Sequence, residues 1–295
     1  MKFCNHSLLK QQYKQILSLV PKPFVKWAGG KRQLLPILSQ HIPKKFDLYF
    51  EPFLGGGAVL FHLISENPKL TCFASDLNSD LILSYVTIRD RVEDLILALE
   101  NHSKNYFKNP KQYYYKVRES NPKYQIDKVS RLIFLNKTCF NGLYRVNSKG
   151  EFNVPLGKYS NPNIVNKENL LAVSHTIQSK NISIKCQDFT KALEVAQEND
   201  FVYLDPPYQP VSHTAKFTSY TNDNFDYKDQ ERLFAEFEKL DSKGCKVMLS
   251  NSKSKEVLEL FSSYSNNIIE INSNRFINSD SKKRTGHSEL LIKNY

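Results

Sequence analysis

The chain has 295 residues, 40% hydrophobic and 12% aromatic, so it is neither disordered nor collagen-like and can bury a sizeable core without disulfide or metal staples. Its 41 Lys and Arg exceed its 30 Asp and Glu by 11, which points to an anionic partner, nucleic acid or a membrane surface. The excess is local: residues 101–187 hold 15 basic and 4 acidic side chains, the remainder 26 of each, so a neutral body is expected to carry one basic insert.

No stretch offers the ~18–20 apolar residues of a membrane helix, and Lys10 and Lys14 break the N-terminal run, which excludes a signal peptide. Cys4, Cys72, Cys139, Cys186 and Cys245 form no C-x-x-C pair, and the histidines lack zinc-site spacing. Reduced thiols, no metal and a cytoplasmic setting are therefore expected.

In chain order, the pattern predicts a helix over Lys31–His41, a strand over Asp47–Glu51, a helix over Gly57–Ile64, a strand over Leu70–Ser75 and a helix over Ser79–Arg89. Helical spacing of Val92, Leu95, Ile96 and Leu99, and of Val129, Leu132 and Ile133, predicts a small helical cluster in the basic segment. Asn141-Gly142 and Lys149-Gly150 are turn signals around Leu143–Ser148, with Glu151–Leu156 following, and predict a projecting β-hairpin or loop. Strands over Ile182–Cys186, Phe201–Leu204 and Cys245–Leu249 alternate with helices over Lys228–Leu240 and Ser254–Phe261. Asn267–Ile271 and Ser288–Ile292 suit an antiparallel edge. The expected class is α/β, a mostly parallel Rossmann-like sheet covered on both faces and interrupted by an insert.

Four motifs carry chemistry. Glu51-Pro52-Phe53-Leu54-Gly55-Gly56-Gly57 follows a strand and opens a helix, where glycines let backbone N–H groups approach a ligand. Asp76 ends the next strand, where a carboxylate suits ribose hydroxyls; the pattern is not G-x-G-x-x-G, which disfavours a dinucleotide. Asp205-Pro206-Pro207-Tyr208 ends the strand Phe201–Leu204 and offers a carboxylate, a free carbonyl and an aromatic face, which together suit an amino group on a stacked base. Phe24-Val25-Lys26-Trp27-Ala28-Gly29-Gly30-Lys31 holds the only Trp beside glycines and two lysines, and suits a carboxylate ligand. Asn141–Asn147 carries Arg145, able to bind guanine O6 and N7 in bidentate fashion, among Lys137, Lys149, Lys158, Phe140, Tyr144 and Tyr159. Taken singly, each motif also reads as an ordinary turn, helix start or solvated surface.

In this order the motifs resemble those of the Dam-type DNA adenine-N6 methyltransferases, the α-class amino-methyltransferases, from about Phe24 to Tyr295. The run Asn141–Tyr159 resembles the recognition hairpin of members that methylate the adenine of GATC. The resemblance implies an N-terminal extension (1–22), a catalytic domain that binds S-adenosylmethionine (23–90 with 188–295) and a target-recognition domain (91–187). It implies that Trp27, Ala28, Gly29 and Lys31 line the amino-acid end of the cofactor site, with Phe53, Gly55 and Gly57 beneath the cofactor and Asp76 on its ribose. Asp188 and Phe189 would bind its adenine. Lys26 and Arg145 would read guanines, Leu143 and Pro155 would touch neighbouring bases beside Asn141, and Phe140 would stand as an aromatic wedge next to an extruded adenine. Tyr is common at the wedge position, so stacking alone is expected of Phe140.

The implied reaction extrudes adenine from duplex DNA, stacks it on Tyr208, and lets Asp205 and the Pro206 carbonyl accept the N6 hydrogens before direct attack on the methyl group. Val211–Asn224 is expected to order on phosphates. A cognate restriction endonuclease acting on the same site is a possible functional partner, with no stable complex implied. The residues alone also admit an RNA or protein-glutamine methyltransferase, a catalytically silent DNA-binding protein on this scaffold, an adenine methyltransferase of another recognition sequence, and a dinucleotide oxidoreductase.

Overall fold

The computed structural model describes residues 19–179, 181–208, 225–273 and 287–295. Strands β1 (Leu48–Glu51), β2 (Thr71–Asp76), β3 (Ile182–Cys186), β4 (Phe201–Leu204), β5 (Lys246–Ser252), β6 (Ile268–Ser273) and β7 (His287–Lys293) form one sheet in the order β3-β2-β1-β4-β5-β7-β6. The first five strands run parallel, and β7 is antiparallel to both β5 and β6. The predicted strands and the antiparallel edge are thus present, with small shifts at their ends.

Alternation along each strand sorts side chains to two faces. Phe201 and Tyr203 of β4 share a core with Tyr49, Cys72, Met248 and Leu291, while Val202 and Leu204 share another with Phe50, Val247, Leu249 and Leu290. Helices α1 (Leu35–Leu38), α2 (Ala58–Glu66), α3 (Ser79–Tyr106), α4 (Pro110–Glu119), α5 (Gln125–Thr138) and α6 (Lys167–Ile177) cover the first face. Helices α7 (Phe189–Leu193), α8 (Tyr227–Ser242) and α9 (Lys255–Leu260) cover the second. Among the described residues no helix is long and apolar enough to cross a membrane.

The insert lies between β2 and β3. Helix α3 continues past the expected Arg89 and breaks its helical backbone at Arg91 (φ −141°, ψ 40°). Beyond that kink, Leu95, Leu99, Tyr114, Phe134 and Val154 belong to the core that covers the sheet. The segment around Val154 therefore lies against the helices rather than projecting, and the Tyr114 hydroxyl donates to the Val154 carbonyl at 2.8 Å.

Two local expectations change. The hairpin reduces to isolated antiparallel bridges, Val146 with Phe152 and Cys139 with Leu156. Asn147 Oδ1 accepts the N–H groups of Lys149 and Glu151, both at 3.0 Å, which tightens the tip, and Pro155 has no N–H to offer a ladder. The helix expected over Lys31–His41 becomes a 3₁₀ turn at Lys31–Gln33 followed by the single turn α1, which holds Pro36 in its first turn. Residues 1–18 of the expected extension, and the loop Val211–Asn224, lie outside the described residues.

Candidate active site

The chain leaves β1 toward β2 while β4 lies on its other side, so the strand order reverses between β1 and β4, and it is at the carboxyl ends of such a pair that open α/β sheets hold ligands. The Glu51–Gly57 loop starts there. Gly55 (φ 48°) and Gly57 (φ 71°) occupy left-handed backbone, and a Cβ on Gly57 would stand 2.7 Å from the Tyr85 hydroxyl. Gly57 is thus required by its turn and by Tyr85, whose hydroxyl donates to the Gly55 carbonyl at 3.0 Å. Asp76 accepts the Gly55 N–H at 2.9 Å on Oδ2 and the Asn78 N–H at 2.9 Å on Oδ1. Burial pushes its carboxyl above the usual range against those bonds. The Asp76 carboxylate therefore fastens the glycine loop to β2, and its second lone pairs remain suited to hydroxyl donors.

Trp27 packs over this loop: a Cβ on Gly55 would meet its Cδ1 at 3.0 Å, and its ring lies 5.4 Å from that of Tyr144. Ala28 is half-buried and Gly29 exposed beside it. On the far side, Phe53 stacks on Phe189 at 5.3 Å, and Phe225 meets Phe53 edge-on at 5.9 Å. Asp188 Oδ1 accepts from Thr190 N at 3.0 Å, Thr190 Oγ1 at 2.6 Å and Arg232 Nη2 at 3.0 Å. These donors hold its pKa below the usual range although burial opposes them. All three of these bonds fall on Oδ1, which leaves Oδ2 of this half-buried carboxylate suited to an amino donor beside an aromatic platform.

The Asp205-Pro206-Pro207-Tyr208 corner follows β4, with Pro206 buried and Pro207 exposed. Lys31, 4% exposed, places Nζ 2.6 Å from Asp205 Oδ1, 2.8 Å from the Gly29 carbonyl and 4.9 Å from the Tyr208 ring centre. Lys31, expected at the amino-acid end of the cofactor site, thus has its ammonium on Asp205 as well. Burial raises the Asp205 carboxyl to about 6, with Lys31 opposing and Glu289 reinforcing the shift. Buried Glu51 is pushed up to about 8, chiefly by burial, although the Tyr49 hydroxyl donates to its Oε2 at 2.9 Å.

The predicted recognition residues gather on the first face. Lys26 Nζ lies 3.2 Å from the Tyr159 hydroxyl and 4.5 Å above that ring. Phe140, Asn141 (φ 54°) and Leu143 are half-buried in a tight turn, where the Phe140 N–H donates to the carbonyl of exposed Pro155 at 2.8 Å. Arg145 donates to Asn153 Oδ1 at 2.6 Å and the Asn153 carbonyl at 3.3 Å, so its fork is oriented before any ligand arrives. The Tyr144 hydroxyl donates to Asp80 at 3.0 Å, tying this segment to the start of α3.

Sequence reasoning missed Tyr85, Asn136, Arg232 and Glu289. Each acts across a large sequence separation from an unremarkable local context. No motif flags them; only the alternation of Glu289 with Leu291 hinted at an inward carboxylate.

Comparison with known proteins agrees with this geometry. The chain is 45% identical to "Type II methyltransferase M1.LlaDCHI" of Lactococcus lactis subsp. cremoris over 280 residues, 93% of this chain and 95% of that one. It is 43% identical to "Type II methyltransferase M.MjaIII" of Methanocaldococcus jannaschii over 290 residues, covering 93% and 99%. The "DNA adenine methylase" of Escherichia coli K12 is 31% identical over 275 residues, covering 92% and 94%. A family profile described as D12 class N6 adenine-specific DNA methyltransferase matches residues 27–277, and the chain belongs to that family of adenine-specific DNA methyltransferases.

Proposed function

We propose that the enzyme methylates N6 of an adenine flipped out of duplex DNA, within GATC, with S-adenosylmethionine as donor. The observation that carries this reading is the Lys31 ammonium, an N–H donor lying at once on the Asp205 carboxylate and over the Tyr208 ring. An adenine amino group with its base stacked on Tyr208 makes the same two demands. Asp205 and the Pro206 carbonyl accept the two N6 hydrogens, which keeps electron density on the nitrogen as it becomes pyramidal. Tyr208 recovers part of the unstacking cost of a few kcal/mol.

Trp27, Ala28, Gly29, Lys31, Phe53, Gly55, Gly57, Asp76, Asp188 and Phe189 would hold the cofactor, which supplies an electrophilic methyl group. Asp188 Oδ2 beside Phe189 and Phe53 fits its adenine. Residues 23–90 and 188–295 would form the catalytic domain and 91–187 the recognition domain. In that domain Lys26 and Arg145 would read guanines, and Phe140, Asn141, Leu143 and Pro155 would face neighbouring bases. The names of the Lactococcus and Methanocaldococcus relatives favour a role beside a restriction endonuclease of the same specificity.

The test is to expose duplex DNA to the enzyme with S-adenosylmethionine, then digest it with nucleases that distinguish methylated from unmethylated GATC. Protection at GATC is expected. N6-methyladenine in another sequence would keep the chemistry and overturn the specificity.

A further inference from the structure

Glu289 comes from β7, on the antiparallel side of the sheet, 84 residues beyond Asp205 in the chain. It is 7% exposed and pairs in register with Ser252 of β5, so its backbone is fixed on both sides by the sheet. Its Oε2 accepts the Tyr208 hydroxyl at 2.8 Å and lies 3.9 Å from Lys31 Nζ. The Tyr208 ring follows two prolines at the end of β4, and the strand that accepts its hydroxyl anchors the far end of the ring and, because a phenol O–H lies in its ring plane, biases the rotation of that plane.

We propose that Glu289 is a positioning residue for methyl transfer: it holds the Tyr208 ring at the angle the target base must meet, and its charge completes the electrostatic setting of Asp205. The inference rests on the adenine-methyltransferase reading and adds to it a residue outside every motif. The electrostatic half follows from proximity. Asp205 faces Lys31 from the N-terminal loop, Glu51 from β1, Tyr203 from β4, Tyr208 from its own loop and Glu289 from β7. Lys31 favours the ionised Asp205, whereas Glu289 disfavours it. Removing the Glu289 charge therefore makes Asp205 more acidic.

The experiment compares Glu289→Ala, Glu289→Gln and Tyr208→Phe with the wild type. Tritiated methyl transfer to duplex DNA is measured across pH, and S-adenosylmethionine binding by calorimetry. Glu289→Ala should lower kcat about tenfold, as for a misplaced reacting group, with cofactor affinity within a few-fold. Glu289→Gln, whose amide oxygen still accepts from Tyr208, should recover most of kcat. In both Glu289 variants the acid limb of the pH profile should move to lower pH. Tyr208→Phe should lose kcat to a similar extent while its acid limb stays near that of the wild type. It also keeps the test alive if Glu289→Ala does not fold. Unchanged kcat in Glu289→Ala overturns the inference. So does a parallel loss of cofactor binding and activity that Glu289→Gln does not rescue, the signature of simple packing. If the wild type itself transfers no methyl group to adenine N6, the functional reading fails first and takes the inference with it.

Discussion

Asn136, fully buried on α5, accepts the Lys26 N–H at 2.7 Å and returns its own amide N–H to the Lys26 carbonyl at 2.8 Å. The same amide nitrogen donates to the Gly142 carbonyl at 2.9 Å. One side chain thus joins the lysine-bearing loop, α5 and the Phe140–Gly142 turn. A Cβ on Gly142 would collide with the Lys26 side chain, so the two segments also touch directly. Asn136→Ala would take this partner from three backbone groups, two of them part-buried and one buried. Roughly 2–3 kcal/mol of stability should be lost, read by urea unfolding, and DNA affinity should fall with it.

Asp205→Ala should abolish methyl transfer while S-adenosylmethionine binding stays within a few-fold. Retained transfer in a tritium assay would remove Asp205 from the reaction.

The pH dependence has a definite sign. Burial raises Asp205 to about 6, and in the proposed reaction its ionised form is the stronger acceptor for the amino hydrogens. In the free enzyme kcat/KM should fall as pH drops through about 6, well above an ordinary aspartate's titration. A flat profile down to pH ~4, where a free Asp titrates, would contradict this environment.

Glu51 gives a stability prediction. Its folded-state pKa, about 8, lies above its ordinary 4.5, so the folded chain binds a proton that the unfolded chain releases. That stabilisation is complete below about 4.5 and is lost as pH rises through about 8. Glu51→Gln, which mimics the protonated acid, should flatten this part of the stability curve in chemical denaturation. An unaltered pH slope would place the titrating group elsewhere.

Arg145→Ala should cost about 1–3 kcal/mol of discrimination at a single base pair, measured by competition between cognate and substituted duplexes. Uniform weakening across all sequences would mark Arg145 as a phosphate contact.

Much of the fold was legible because its cause is local. Phe201-Val202-Tyr203-Leu204 is short, apolar and bulky, and reads as a strand buried on both faces. The Gly55–Gly57 turn and the Asp205–Tyr208 corner were legible because each is contiguous and its residues limit the backbone to few conformations. The hairpin expected after Asn141 was legible only as a reversal. Its turn signals are local, but whether a ladder follows depends on competition from Asn147, on Pro155 and on packing of Val154 beneath Tyr114.

The sequence by itself determined which chemistry-bearing groups exist and at which strand ends they stand, since motif spacing and alternation act within a few residues. Only the tertiary structure decided their partners. It placed the Lys31 ammonium on Asp205, Glu289 on the Tyr208 hydroxyl and Asn136 between Lys26 and Gly142. These pairings depend on strand order and on which face each side chain shares, and no local pattern encodes a contact between β7 and the loop after β4. The basic insert shows the same division. Its charge was countable from the residues, but its apolar side chains bury into the sheet's own core, which fixes where that charge is held.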